Sequence, residues 1–146
     1  MGKTRCFFHH DRQLSDLRRR LPALRYGQQH FRSVGGNGTD FGLSTDVDGI
    51  VAFSRILAGT EVLVVANTSA FGRFDDHMLV DTVINGGKNA SMKMEISHPG
   101  TPSHRCALTS SNVVSWENGV RGDSFHATHM RVNLAPMELQ IFTQVG

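Results

Sequence analysis

The sequence predicts an all-β protein: an antiparallel β-sandwich with Greek-key-like connections, preceded by one amphipathic helix. From about residue 34 onward, roughly seven or eight short apolar or alternating segments follow one another between turn residues, as in antiparallel sandwiches. Fifteen glycines in 146 residues supply many turns, which favours strands over a helical bundle. A hydrophobic content of 39% in a chain of this length is enough for one sizeable core.

The helix is predicted near the start of the chain. Leucines at three- and four-residue steps share one helical face; they are Leu14, Leu17, Leu21 and Leu24. Asp11 is suited to cap the helix, and Pro22 is expected to interrupt it because proline has no backbone N–H. Gly27 is expected to end it in a left-handed conformation. Since no second helix is predicted, the leucine face must lie on a sheet or on a part of the protein outside this chain.

A central hairpin is predicted next. Residues 50–57 and 61–66 form two almost continuously apolar runs, joined by Ala58-Gly59-Thr60. Such runs are typical of strands that are covered on both faces. We therefore expect this hairpin to form the core of the sandwich.

The later strands alternate between apolar and polar residues. Alternation places Met92, Met94 and Ile96 on one face of a strand. In residues 125–134 it separates two sets, which are Thr128, Met130, Val132 and Leu134 on one face and Ala127, His129, Arg131 and Asn133 on the other. A turn at residues 135–137 leads into a last strand, whose Leu139 and Ile141 are expected to face inward.

The charge is unevenly distributed. The net charge is +2, but residues 1–32 carry a marked basic excess; the bases are Lys3, Arg5, Arg12, Arg18, Arg19, Arg20, Arg25 and Arg32, against Asp11 and Asp16. No interleaved aromatic residues or recognition motif accompany them, so a nucleic-acid partner is not predicted. Arginines on a solvated face, or arginines that pair with acids of an absent domain, explain the pattern better.

Membrane, metal and cofactor functions are not predicted. No segment approaches the roughly 20 apolar residues that span a bilayer, and the first ten residues lack an apolar signal region, so a cytoplasmic location is expected. Cys6 and Cys106 are expected to be reduced thiols. His126 and His129 would point to opposite faces of one strand, which is poor geometry for a shared metal.

Three stretches in a fixed order resemble the end of glycoside hydrolase family thirteen, the α-amylase family. They are residues 17–27 (Leu-Arg-Arg-Arg-Leu-Pro-Ala-Leu-Arg-Tyr-Gly), residues 50–55 and residues 62–69, which end in Ala-Asn-Thr-Ser. Residues 134–142, with Pro136 in their turn, are similar to the final strands of that family's C-terminal domain. The match covers residues 7–81 and 130–143 and is weak between residues 86 and 125.

The resemblance implies a division of the chain and a role for it. Residues 1–31 would be a remnant of the final helix of a (β/α)₈ barrel, and residues 32–146 the C-terminal β-domain of a hydrolase or transglycosylase. In that family the two catalytic carboxylates lie at the ends of barrel strands. No Asp or Glu of this chain matches those motifs, so no catalytic residue is assigned and no enzymatic activity is predicted. The missing barrel would be the packing partner of the leucine face.

Two other hypotheses stay open. Trp116, the sole tryptophan, is a possible contact for a sugar ring, and the chain would then be a free-standing carbohydrate-binding module with an α-glucan ligand. Alternatively, the basic helix docks an acidic partner protein. In either case an uncovered leucine face would promote self-association.

Overall fold

The computed structural model describes residues 14–36, 40–42, 49–85, 90–98, 104–117 and 120–145, and it confirms the all-β class with a short helical segment in front. Three short helices are present in these residues, namely α1 (14–20), α2 (Ala23–Tyr26) and α3 (Thr82–Asn85). The strands are β1 (Gln28–Phe31), β2 (Val34–Gly36), β3 (Asp40–Gly42), β4 (Ile50–Leu57), β5 (Thr60–Asn67), β6 (Phe74–Val80), β7 (Ser91–His98), β8 (Arg105–Ala107), β9 (Thr109–Glu117), β10 (Val120–Leu134) and β11 (Leu139–Val145). No helix in this described part has the length and apolar character that crossing a membrane demands.

The strands form two sheets. Sheet A has six strands in the order β1-β4-β5-β11-β7-β8, and all its pairs are antiparallel. Sheet B has five strands in the order β10-β6-β2-β3-β9 and closes on itself. The pairs of sheet B are antiparallel as well, except that β3 runs parallel to β9. This pair is short, with two residues of β3 in register with β9.

The main core lies between the sheets. Sheet A contributes Ala52, Leu63, Val65, Met94 and Phe142, and sheet B contributes Met78, Met130, Val132 and Leu134 among others. Two smaller clusters flank it. One lies between sheet A and the helices, and the other is built around Phe41, Val113 and Ala127 on the enclosed face of sheet B.

The β4–β5 hairpin is central, as predicted. β5 is buried on both faces from Glu61 to Val65, since one face meets the main core and the other meets the helices. Ala58 and Gly59 form its two-residue turn with φ values of 49° and 76°. Positive φ at both central positions is the geometry that matches the twist of a hairpin.

The prediction that Met92, Met94 and Ile96 share a face was wrong for Ile96. Met92 and Met94 lie in the main core, whereas Ile96 packs in the cluster beneath the helices. The register between β11 and β7 shifts between Ile141 and Phe142, so that Glu95 is left out of the pairing. A bulge of this kind sends the following side chain to the opposite face.

The prediction of an inward face for Leu139 and Ile141 was also wrong. Both side chains pack beneath the helices on the outer face of sheet A, and their neighbour Phe142 reaches the main core. The two faces of β11 are both covered, so an apolar residue can occupy either one, and the sequence pattern does not distinguish them. In contrast, the predicted separation of the two sets in β10 is confirmed, with Met130, Val132 and Leu134 in the main core.

The helical segment is interrupted at Pro22, as predicted, since α1 ends at residue 20 and α2 begins at Ala23. Gly27 does not adopt the predicted left-handed conformation, because its φ is −68° and its ψ is 151°. Glycine is needed there for another reason: an added Cβ would collide with the carbonyl oxygen of Ala23. The proposed cap, Asp11, lies outside the described residues.

Candidate functional site

The outer face of sheet A carries both helices, and we call it the helix-bearing face. Leu17 and Ala23 are buried against Val62, Val64 and Ile141 of β5 and β11. The other three leucines of the predicted face, Leu14, Leu21 and Leu24, are partly buried in the same cluster. Of the two places that the sequence left open for this face, a sheet or an absent partner, the structure shows the sheet. The helices and sheet A therefore share one hydrophobic cluster.

Part of the helix-bearing face stays uncovered. Phe31 on β1 is opposite Phe53 on β4, and Val51 lies on the same face of β4. Phe31 is 66% exposed, and Tyr26 at the end of α2 is 71% exposed. Val51 is exposed as well. Tyr26, Phe31 and Val51 therefore leave apolar surface exposed in this part of the chain.

Residues 28–31, which the predicted division counts with the helix, form β1 and pair with β4. Gly27 is the single residue between α2 and this edge strand of sheet A. The Arg55 Nε also donates to the carbonyl oxygen of Ala23 at 3.5 Å, and its Nη1 donates to Gln29 Oε1 at 3.2 Å. These contacts hold α2 and β1 on the same strand, β4.

Arginines line the solvent side of the helices. Arg18, Arg19 and Arg25 are exposed, and the Arg25 guanidinium lies 5.2 Å from the centre of the Tyr26 ring. Arg20 reaches Glu95 of β7 at 3.6 Å. The region around the two helices thus presents exposed aromatic residues and exposed arginines.

A buried carboxylate joins the two sheets behind this face. Glu61 is fully buried, and its Oε1 lies 3.0 Å from Arg32 Nη2 and accepts a hydrogen bond from Ser54. Its Oε2 accepts from the backbone N–H of Asp81 at 3.0 Å and from the Asn85 amide. Since Arg32 follows β1 and Asn85 belongs to α3, one side chain connects three separate parts of the chain.

A second buried polar cluster supports the turn between β10 and β11. Glu138 accepts from the backbone N–H of Ala135 at 2.8 Å, from Ser97 at 2.6 Å and from Gln140 at 3.0 Å. Asn67 donates to the carbonyl oxygens of Gly72 and Ala135. These bonds hold the backbone of Met137 at a φ of 60°, which is uncommon for a residue other than glycine.

Two histidines meet on the enclosed face of sheet B. The Nδ1 atoms of His77 and His129 are 3.1 Å apart, and the Nε2 of His129 is 3.0 Å from the Ser111 hydroxyl. Burial and, secondly, the nearby His77 lower the pKa of His129. His129 therefore pairs with His77 across the strands and not with its sequence neighbour His126. In the described residues no group of three or more His, Cys, Asp or Glu side chains is placed to hold a metal ion.

Trp116, the predicted sugar contact, lies on β9 of sheet B, whereas the helices pack on sheet A. It is 40% exposed and stands opposite Arg121 of β10. Val120 and Phe125, on the same β9–β10 ribbon, are also exposed. The structure does not bring Trp116 together with the leucine set.

Neither the contact of Glu61 with Arg32 nor that of His77 with His129 was predicted from the sequence. Glu61 is a charged residue at the start of an otherwise apolar strand, which is a signal that it has a buried partner. Its partner, 29 residues away, could not be identified because the pair depends on how β1 docks on β4. The two histidines are 52 residues apart and carry no local signal.

Comparisons with protein-family models, with curated proteins and with solved structures found no match to this chain.

Proposed function

We propose that this chain is the non-catalytic C-terminal β-domain of an α-amylase-type glycoside hydrolase or transglycosylase, and that it supports a catalytic barrel that lies outside this chain. The resemblance of residues 17–27, 50–55 and 62–69 to the end of that family motivates the proposal. The role is mechanical: the β-domain anchors the last helical segment so that the barrel's end is held in place.

The observation that carries the proposal is the uncovered part of the helix-bearing face. α1 and α2 are anchored on sheet A by Leu17 and Ala23, and they run into β1 without a linker. Tyr26 at the end of α2 and Phe31 on β1 expose most of their surface. An anchored helical segment flanked by exposed aromatic residues is the surface that a neighbouring domain would complete.

The proposal assigns no reaction to this chain. Purified protein is therefore expected to release no reducing ends from soluble starch or from maltooligosaccharides. Hydrolysis that persists after chromatographic repurification would contradict a purely supporting role.

The coding DNA upstream of Met1 provides the test of the parent protein. An in-frame segment whose translation alternates strands and helices over about 250 residues or more would support the proposal, since that is the usual length of a (β/α)₈ barrel. A stop codon directly upstream of Met1, in frame, would contradict it.

A second candidate function has one observation in its favour. The Trp116 indole is partly exposed and is paired across strands with Arg121, a combination that can stack on a sugar ring and hydrogen-bond its hydroxyls. This function predicts retardation of the chain in gels that contain soluble starch, and loss of retardation in Trp116→Ala. Equal mobility with and without starch would exclude it.

A further inference from the structure

His77 and His129 contact each other across two paired strands of the closed sheet B. His77 lies on β6 and His129 on β10, and these two strands pair over seven residues, Thr128–Leu134 with Phe74–Val80. The imidazole rings meet edge to face with their centres 5.1 Å apart. His129 is 4% exposed and also packs against the Phe41 ring at 5.5 Å. The pair is therefore held between strands that together close the sheet.

The geometry limits how many protons the pair can hold. Two Nδ1 atoms at 3.1 Å form a hydrogen bond only if one carries a proton and the other offers its lone pair. A first additional proton can go to the Nε2 of the ring that already carries Nδ1–H, and the contact is kept. A second additional proton would place N–H against N–H, since both nitrogens of an imidazolium are donors.

In the part of the chain that the structure describes, the charged groups around the pair are two carboxylates and two arginines, and both carboxylates already accept hydrogen bonds. Arg131 is the cross-strand partner of His77, and it is bound to Asp75 through two hydrogen bonds of 2.8 and 2.9 Å. Asp76 accepts the backbone N–H of His77 at 2.8 Å. The exposed Arg73 donates to Asn133 of β10.

The other strands of sheet B contribute uncharged groups to the contact. β9 contributes the Ser111 hydroxyl, β3 the Phe41 ring and β2 the backbone of Gly35, which is opposite His77. Within the described residues, the charged groups near the pair are therefore Arg73, Asp75, Asp76 and Arg131. Burial and His77 both lower the pKa of His129, which agrees with this arrangement.

We propose that His77 and His129 form an acid-sensitive latch on the closed sheet: the pair holds β6 to β10 while it carries at most one positive charge, and a second proton separates the rings and weakens this pairing. The latch is independent of the proposed role of the helix-bearing face, which lies on the other sheet.

The direction of the effect follows from proton counting. An imidazole in contact with water has a pKa of about 6.5. Well below that pH the open form can hold two additional protons and the closed form only one, so acid favours opening. One proton of difference changes the opening equilibrium by about tenfold per pH unit.

The experiment measures amide hydrogen exchange in β6 and β10 of the whole chain between pH 7.5 and 5. Rates are corrected for the intrinsic pH dependence of exchange and compared with amides of the β4–β5 hairpin. The expected result is an increase in opening of about tenfold per pH unit below about pH 6.5 in β6 and β10. A pH-independent opening of these strands would overturn the latch.

Two variants separate the latch from general acid sensitivity. His77→Asn keeps a polar atom near the Nδ1 position but cannot take up the second proton. The part of the pH dependence that comes from this proton should be lost, and only the smaller part due to the burial of His129 should remain. His126→Asn removes an exposed histidine from the same strand and should behave as the wild type. A pH dependence in His77→Asn as steep as that of the wild type between pH 6.5 and 5 would overturn the proposal.

Imidazole nitrogen NMR of the wild-type chain keeps the proposal testable even if His77→Asn does not fold. At pH 7.5 we expect one Nδ1 proton between the two rings. Both rings should become imidazolium only together with the loss of cross-strand contacts between β6 and β10. Two fully protonated rings at pH 5 with those contacts intact would contradict the latch.

Discussion

The buried Glu61 carboxylate connects the two sheets through its hydrogen bonds. A carboxylate without solvent contact is tolerated only with charged or hydrogen-bonding partners, and Glu61 has four, in Arg32, Ser54, Asn85 and the backbone of Asp81. The Arg32 side chain is itself only 16% exposed. Removing the negative charge therefore leaves a largely buried guanidinium without its counter-ion.

We expect Glu61→Gln to lower the free energy of unfolding by about 3 kcal/mol, the usual cost of breaking a buried ion pair from one side. Urea unfolding at pH 7 measures the change. Asp75→Asn is the matched control, since it breaks the ion pair with Arg131 at the surface, where such pairs contribute little. A loss of less than about 0.5 kcal/mol in Glu61→Gln would show that the network does not join the sheets.

Local residue patterns predicted much at this scale, but not the polar contacts. The two faces of β10 followed from alternation, and the break at Pro22 from the chemistry of proline. The pairing of Glu61 with Arg32, and of His77 with His129, is set by strands that meet only in the folded chain. The steric requirement for glycine at position 27 could not be predicted either, because the close approach of Gly27 to Ala23 depends on the path of the chain into β1.

At the scale of elements, the docking of α1 on sheet A is the feature that matters most for the proposed function. α1 has seven described residues and cannot be stable through its own hydrogen bonds. Its stability must come from Leu17, which is 2% exposed over β5 and β11, and from the leucines around it.

Leu17→Ala should destabilise the chain by about 3 kcal/mol, within the range for large-to-small changes at buried sites. It should also make the bonds after Arg18, Arg19 and Arg20 more sensitive to trypsin, because the helix would open more often. Limited proteolysis followed by mass spectrometry records the cleavage sites. Ser15→Ala, on the exposed side of α1, is the control and should cleave like the wild type. Unchanged cleavage in Leu17→Ala would contradict the docking.

Element order was largely predictable, whereas the faces of the strands were less so. The apolar runs 50–57 and 61–66 predicted the hairpin because such runs need cover on two sides. Ile96 was placed on the wrong face because the bulge at Glu95 depends on the register of β11 against β7. β1 was missed, since Gln28-Gln29-His30-Phe31 lacks an alternating pattern and pairs only at the edge of sheet A.

At the scale of the whole molecule, the uncovered helix-bearing face should make the isolated chain associate with itself. The exposed Tyr26 and Phe31 would bury apolar surface in such a contact. Sedimentation velocity should show a weight-average mass that rises with concentration. The double variant Tyr26→Ser/Phe31→Ser should be monomeric over the same range.

Phe71→Ser provides the control for that measurement. Phe71 is 97% exposed in the loop between β5 and β6. Its removal should leave the association unchanged. If Phe71→Ser abolishes association and the double variant does not, the interacting surface lies elsewhere.

The central claim is that the helix-bearing face packs against a catalytic barrel. The most direct measurement is hydrogen exchange of residues 23–31 in the protein translated from the full reading frame, compared with the present chain. The account predicts that a barrel encoded upstream slows exchange at Tyr26 and Phe31 and leaves β9 and β10 unchanged. Equal exchange at Tyr26 and Phe31 in the two proteins, or an in-frame stop codon directly upstream of Met1, would contradict it.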